Sequence, residues 1–266
     1  MQKRTRLPIA LTIAGSDSGG GAGIQSDLKT FAALGVHGTS AITCVTAQNP
    51  ARVLAIEAIS AKVIDAQIQA ILTELPPRAA KTGMLYSSAI IEVVAARFQA
   101  ARIPLIVDPV MVATSGARLL KPAAIKALTQ KLFPLAALVT PNAQETELLA
   151  GFPLRTEEDS RRAARTIFEQ HGCAALIKGG HLAGAKEAID IFYDGKTELM
   201  LSAPFVRGVK THGTGCAYSA AIAGLLALGR DLPAAVSEAK EFVFQAIAQT
   251  QQIARHQALH WFHQPR

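Results

Sequence analysis

The chain predicts an α/β fold, a three-layer sandwich with a mainly parallel central sheet between helices. Short apolar runs alternate with helix-length segments along most of the 266 residues, the pattern of strands joined by helical crossovers. Glycine-, proline- or charge-bearing strings follow one apolar run after another, where open parallel sheets bind ligands. Half of the residues are apolar and 18% charged, a balance that suits a buried sheet covered on both faces. No repeat, low-complexity tract or linker interrupts the chain, so residues 1–266 are expected to form a single domain.

Each element follows from a local signal. Residues 9–14 are an apolar run ending at Gly15, hence a buried first strand. Residues 25–34 read as a helix closed by Gly35, and residues 39–46, rich in β-branched side chains, as a second strand. Residues 53–59 read as a short strand whose Glu57 suggests an exposed edge or flap. Ser60 caps a helix to about Leu72, stopped by Pro76-Pro77. Residues 79–82 form a third core strand, and Ser87/Ser88 cap a helix to Ala101. Residues 105–107 lead into Asp108-Pro109, and Pro122 opens a helix to Leu132. Residues 135–139 form a strand ended by Pro141, and residues 142–150 a short helix. Thr156 with Asp159 resembles a capping box for a helix to His171. Residues 174–177 form a strand, residues 189–193 and 198–201 a hairpin turned at Asp194-Gly195, and residues 217–228 and 232–256 two helices.

Charge and cysteine usage exclude several classes. The net charge is +7, but the basic residues are dispersed and aromatic residues are only 5%. That is too few for a stacking platform, and no nucleic-acid partner is expected. No run reaches the ~18 apolar residues of a membrane span, so no membrane association is expected. Three scattered cysteines without a CxxC pair fit a reducing cytoplasm rather than a disulfide framework or zinc site.

The string Thr211-His212-Gly213-Thr214-Gly215-Cys216 runs straight into a helix of small residues. Its glycines let backbone approach a ligand, and the helix start offers unpaired amides and a partial positive charge, an anion site. Cys216 sits there, and such a position is expected to lower its thiol pKa and let it act as a base. Packing of a buried helix against a glycine turn is the competing explanation. The loop from Gly15 to Gly23 contains three further glycines, Gly19, Gly20 and Gly21, but fits neither a P-loop nor a dinucleotide fingerprint. Asp27 is either a dipole partner of the following helix or a group reaching back to substrate. Gln48 offers a donor and an acceptor to a ring amidine edge, unless it is an ordinary loop amide. Asp108, Asn142 and Glu145 are hard oxygen donors near strand ends, with Asn142 and Glu145 on one face of a helical turn. Lys178 could meet a phosphate or be a plain loop lysine.

Read in order, these strings closely resemble the hydroxymethylpyrimidine/phosphomethylpyrimidine kinase family. The resemblance runs through Ala14-Gly15-Ser16-Asp17, Gly23 to Thr30, Val45-Thr46-Ala47-Gln48-Asn49, Lys81-Thr82-Gly83-Met84-Leu85 and Asp108-Pro109-Val110-Met111. It continues through Thr140-Pro141-Asn142-x-x-Glu145, Lys178-Gly179-Gly180-His181 and the Thr211 to Cys216 string. It implies a ribokinase-like fold and transfer of the ATP γ-phosphoryl group to 4-amino-5-hydroxymethyl-2-methylpyrimidine, then to its monophosphate. It implies a pyrimidine pocket of Gln48, Gly15, Asp27 and Met84, an anion hole of Gly213, Thr214, Gly215 and Cys216, and Cys216 as catalytic base. Asp108 and Glu145 with Asn142 would organise Mg²⁺ and its waters, Lys178 and Thr211 would lie near the ATP phosphates, and a homodimer is expected. Relatives such as ribokinase and most pyridoxal kinases carry Asp at the position of Cys216. A pyridoxal kinase of the same fold is the nearest alternative, since both substrates are small aromatic rings bearing hydroxymethyl groups, and a non-catalytic pyrimidine-sensing module a more distant one. Two departures stand out: Thr114 where some members carry Lys, and a tail lacking their glycine-rich ending.

Overall fold

The computed structural model describes residues 6–111, 120, 122–179, 187–209 and 212–262. The parallel strands are β1 (Ile9–Asp17), β2 (His37–Asn49), β4 (Ala79–Thr82), β5 (Leu105–Val107), β6 (Leu138–Val139) and β7 (Ala174–Lys178). Antiparallel strands flank them: β3 (Arg52–Ala58) on β2, and β8 (Glu187–Tyr193) with β9 (Glu198–Pro204) beyond β7. The nine-stranded sheet runs β3-β2-β1-β4-β5-β6-β7-β8-β9. Helices α1 (Gly23–Ala33), α2 (Ala61–Glu74), α3 (Ser88–Ala100), α4 (Pro122–Ala127), α5 (Ala143–Ala150), α6 (Glu157–His171), α7 (Thr214–Ala227) and α8 (Leu232–Ala248) cover it. A separate hairpin, β10 (Gln251–Ile253) with β11 (His256–Ala258), follows α8.

Strand periodicity explains the two covered faces. Leu11 and Ile13, Leu105 and Val107, Val139, and Ala175 and Ile177 enter one core, with Ile64, Ile68, Val94, Phe98 and Ile167. Their neighbours Ala10, Ile106, Leu138, Ala174 and Leu176 enter the other, with Phe31, Ile222, Val236 and Val243. Successive side chains point to opposite faces, so a strand apolar at every position must be covered twice. Helix starts fall where capping chemistry puts them. Ser60 and Ser87 accept from the amides of Val63 and Ile90, and both Asn142/Glu145 and Thr156/Asp159 close capping boxes.

Four expectations need correction. The first strand continues past Ala14 to Asp17, because a bulge after Ala14 lets Ser16 and Asp17 pair with Val45 and Thr46. The helix opened by Pro122 is α-helical only to Ala127 and passes through a π-helical stretch, Leu128–Leu132, into a 3₁₀ turn, Phe133–Leu135. That turn, with Pro134 inside it, takes residues assigned to the next strand, leaving only Leu138–Val139. The last helix stops at Ala248 rather than His256: Gln249, Thr250, Gln251 and Gln252 supply no apolar stripe, so the chain turns into the small hairpin. Among the described residues no helix is long and apolar enough to cross a membrane.

Candidate active site

The carboxyl ends of β1, β2, β4, β5, β6 and β7 deliver the candidate residues to one edge of the sheet, against the start of α7. Gly213 caps α7 in the left-handed region, φ 83°. A Cβ there would stand 1.9 Å from the Gly21 carbonyl oxygen, so only glycine allows this loop to pack backbone-to-backbone on the loop after β1. Two residues on, a Cβ at Gly215 would meet Lys178 Nζ at 3.3 Å and Asp108 Oδ2 at 3.9 Å. The bare helix start therefore faces a lysine from β7 and an aspartate that follows β5.

That end of the site is a charge cluster. Lys178 Nζ donates to Asp108 Oδ1 at 3.2 Å, and Ser219, in the second turn of α7, lies 3.3 Å from Asp108 Oδ2. Glu145 is buried, its two oxygens accepting from the Met111 amide at 2.8 Å and the Asn142 amide at 3.0 Å. Asn142 Oδ1 accepts the Glu145 amide in return. The Asn-x-x-Glu string is thus a helix cap, but its acid is inside the site and not on the surface. Burial pushes Glu145 above the usual carboxylate range; Lys178 pulls it back and Asp108 adds to the rise. Burial alone would lower Lys178, but Asp108 and Glu145 more than offset it and keep its ammonium above the ordinary value.

The lowered thiol pKa expected at Cys216 is overturned. Cys216 is half-buried, and loss of water around it pushes the thiol up to about 11. Lys81 and a hydrogen bond from the Gly23 amide pull it down, while Asp27 and Asp108 push it further up. A helix start lowers a thiol pKa only when its field exceeds the desolvation cost, and here burial outweighs it, with two nearby carboxylates adding to the rise.

The other end of the site is built from β1, β2 and β4. Gln48 sets its carboxamide nitrogen 2.8 Å from His212 Nε2 and its oxygen 3.1 Å from the Thr46 hydroxyl. Gly15 is buried, and a Cβ there would lie 2.7 Å from Cys44 Sγ and 3.2 Å from Met84 Cε, so Gly15, Cys44 and Met84 make one wall. Asp27, expected on the pocket wall, stands behind it. Its carboxylate is fully enclosed and binds Lys81 Nζ at 2.8 and 2.9 Å and the Thr12 hydroxyl at 2.6 Å. Thr211, Gly180, His181 and Thr114 lie outside the described residues.

Three groups escaped the sequence reading. Asp17 gathers the amides of Gly19, Gly21 and Ala22; an acid followed by consecutive glycines, whose free amides curl around an anion, was the available signal. Lys81 is a charged residue inside an apolar strand, which is rare unless it is paired. His212 carried no spacing signal, since its partners are brought to it only by the fold.

A carboxamide at one end, a thiol over a bare helix start at the other, and a lysine between two acids define a phosphotransferase of the ribokinase-like fold. The chain belongs to the phosphomethylpyrimidine kinase family, whose pattern it matches over residues 17–260. It is similar to the hydroxymethylpyrimidine/phosphomethylpyrimidine kinases of Synechococcus elongatus, 49% identical over 91% of this chain and 92% of that one, and of Rhizobium meliloti, 47% identical over 96% and 97%. Among solved structures it resembles the phosphomethylpyrimidine kinase of Clostridium difficile, with TM-score 0.80 and 41% identity over 90% of this chain and 99% of that one. It also resembles the pyridoxal kinase of Staphylococcus aureus in complex with AMP-PCP and pyridoxal, with TM-score 0.88 and 32% identity over 97% and 94%.

Proposed function

We propose that this protein transfers the γ-phosphoryl group of ATP to the hydroxymethyl group of 4-amino-5-hydroxymethyl-2-methylpyrimidine, and then a second phosphoryl group to the monophosphate, in thiamine biosynthesis. The observation that carries this is Cys216 at the start of α7, on the same short loop as the histidine that touches Gln48. In this reading Gln48 hydrogen-bonds the aminopyrimidine and Gly15 and Met84 line the ring, with Asp27 supporting that wall from behind. Gly213, Thr214, Gly215 and Cys216 form the anion hole, and Lys178, Thr211 and Asn142 serve the ATP phosphates.

Cys216, once it has released its own proton to solvent, receives the hydroxyl proton as a thiolate while the substrate oxygen bonds to the γ-phosphorus and ADP leaves. Transfer of this kind rests on positioning and charge stabilisation. Among the described residues no group of three or more acids, histidines or cysteines could hold a metal ion unaided. Asp108 and Glu145, both acting on Lys178, do fit Mg²⁺ carried in on phosphates and keeping most of its waters. Bound there, Mg²⁺ would supply charge neutralisation at the transferring phosphoryl group.

A second reading, phosphorylation of pyridoxal, draws on the likeness to pyridoxal kinases. Cys216 and Gln48 favour the pyrimidine. A coupled ADP-release assay with the two alcohols side by side distinguishes them: preference for the pyrimidine is expected, and preference for pyridoxal would replace this reading. A homodimer is part of the proposal. The antiparallel flap exposes Val45, Val53 and Leu54 (47%, 44% and 61%), an apolar patch suited to a second copy. Light scattering that finds only monomer would remove it.

A further inference from the structure

The two glycine loops meet at one side chain. His212 sits on the loop that begins α7, immediately before Gly213, yet its ring reaches across to the other loop and to β2. Its Nε2 is 2.8 Å from the Gln48 carboxamide nitrogen and 3.4 Å from Asp17 Oδ2. Its Cδ2 lies so close to Gly21 that a Cβ there would come within 3.2 Å.

Asp17 is itself fixed. It is buried, its oxygens accept from the Gly19 amide at 2.8 Å, the Gly21 amide at 3.1 Å and the Ala22 amide at 2.8 Å, and its own amide donates to Gln25 Oε1 at 2.8 Å. Burial would raise its pKa, but hydrogen bonds from His212 and from the Ala22 and Gly19 amides outweigh it and hold the carboxyl below the usual range. A charged Asp17 locks the loop after β1, and that loop packs against the histidine ring.

Gln48 is held at both ends. Its oxygen faces the Thr46 hydroxyl, which also lies 2.8 Å from the Ser16 carbonyl of β1. Its nitrogen lies 2.8 Å from His212 Nε2, the ring atom that also faces Asp17. A free glutamine amide can turn over and exchange its donor and acceptor; one pinned at both ends presents the remaining N–H and the remaining oxygen lone pair in one sense only. That sense suits a ring nitrogen beside an exocyclic amino group, which accepts the N–H and donates to the oxygen.

We propose that His212, seated against Asp17, is a positioning residue that sets the Gln48 carboxamide for reading the amidine edge of an aminopyrimidine. Because His212 and the anion hole share one loop, ring recognition and the phosphoryl site are built as a unit. This inference rests on the pyrimidine-kinase reading and adds to it the residue that enforces ring choice.

The test compares kcat/KM for the aminopyrimidine alcohol with that for the same alcohol lacking the 4-amino group. Sites built to hydrogen-bond a substrate group discriminate against analogues without it, and losing one such bond corresponds to about a tenfold change. His212→Phe, which keeps a ring but no nitrogen, is expected to lower the ratio about tenfold through KM rather than kcat. His212→Gln, which restores a polar hydrogen-bonding group at similar reach, is expected to recover most of it. Thr46→Val removes the hydroxyl at the other end of the amide, with its bond to the Ser16 carbonyl, without touching His212 or the loop before α7, and should lower the ratio in the same direction; it decides the matter if His212→Phe does not fold. An unchanged ratio in the folded variants, or an equal fall on both alcohols, overturns the inference while leaving the kinase reading intact. Failure of the wild-type protein to turn over the aminopyrimidine alcohol overturns that reading, and the inference with it.

Discussion

Two aspartate–lysine pairs lie beside Cys216 and differ in how much of their bonding capacity is already used. In the first, Lys81 binds both oxygens of Asp27 at 2.8 and 2.9 Å, the Thr12 hydroxyl adds a third contact at 2.6 Å, and neither side chain is exposed. In the second, Lys178 makes one 3.2 Å contact with Asp108, and the lysine keeps 16% of its side-chain surface. The residue types are the same, but the closed pair answers its own desolvation with its own hydrogen bonds, whereas the open pair keeps donors for an incoming anion. A buried ion pair serves a ligand only if its geometry leaves something unsatisfied. Both pairs act on the thiol between them: Lys81 favours its ionisation, and Asp27 and Asp108 oppose it.

Mutations can break this contrast, beginning with the thiol itself. Cys216→Ala is expected to lose about 10²–10⁴-fold in turnover, the usual worth of a general base, while isothermal titration still finds the pyrimidine bound. Near-normal turnover would remove the assignment of Cys216 as base. Lys81→Met leaves Asp27 enclosed without its partner, and should cost about 3–5 kcal/mol in urea unfolding. Adding Asp27→Leu should restore most of that, because replacing both partners removes the unpartnered buried group. A double variant no more stable than the single one would show that the closed pair is not a self-contained unit.

Lys178→Met should behave the other way. Loss of a charge-assisted contact, about 1.5–3 kcal/mol, is expected in nucleotide affinity, with a smaller shift of the urea midpoint than Lys81→Met produces. Equal effects on stability would erase the distinction between the pairs. The smallest effect concerns pH. Glu145 has its pKa raised in the fold, so its protonated form is favoured there. Its contribution to stability is complete below the ordinary carboxylate value and is lost as pH rises through the raised one. Nucleotide and Mg²⁺ binding, which need the carboxylate, should strengthen over that same rise. Binding isotherms across this range that run in the opposite direction would contradict the placement of Glu145 at the metal.

Much of this was legible in the sequence. Apolar runs such as 105–107 and 174–177 could only be strands covered twice, and Ser60, Ser87 and Thr156 marked helix starts through capping chemistry that operates within a few residues. The glycines at 213 and 215 signalled close approach, and the fold supplies the carbonyl and the lysine that require it. Long-range partnerships were not legible. Nothing near Asp27 announces Lys81, 54 residues away, and nothing near His212 announces Gln48, 164 residues away. The ionisation of Cys216 was misjudged for a related reason: a helix start is a local feature, but desolvation and the two carboxylates come from the assembled site.

The thiol therefore offers the most direct test. Cys44 and Cys173 are buried and Cys216 is only half-buried, so alkylation by iodoacetamide, with the modified residue identified by mass spectrometry, reports on Cys216. Since only the thiolate reacts, the rate without ligands should climb steadily from about pH 7 to about pH 10 with no plateau, in keeping with a thiol pushed up to about 11. A plateau already reached below about pH 8 would mean a thiolate in the resting site, and would contradict the claim that burial and the flanking carboxylates keep Cys216 protonated until substrate and nucleotide arrive.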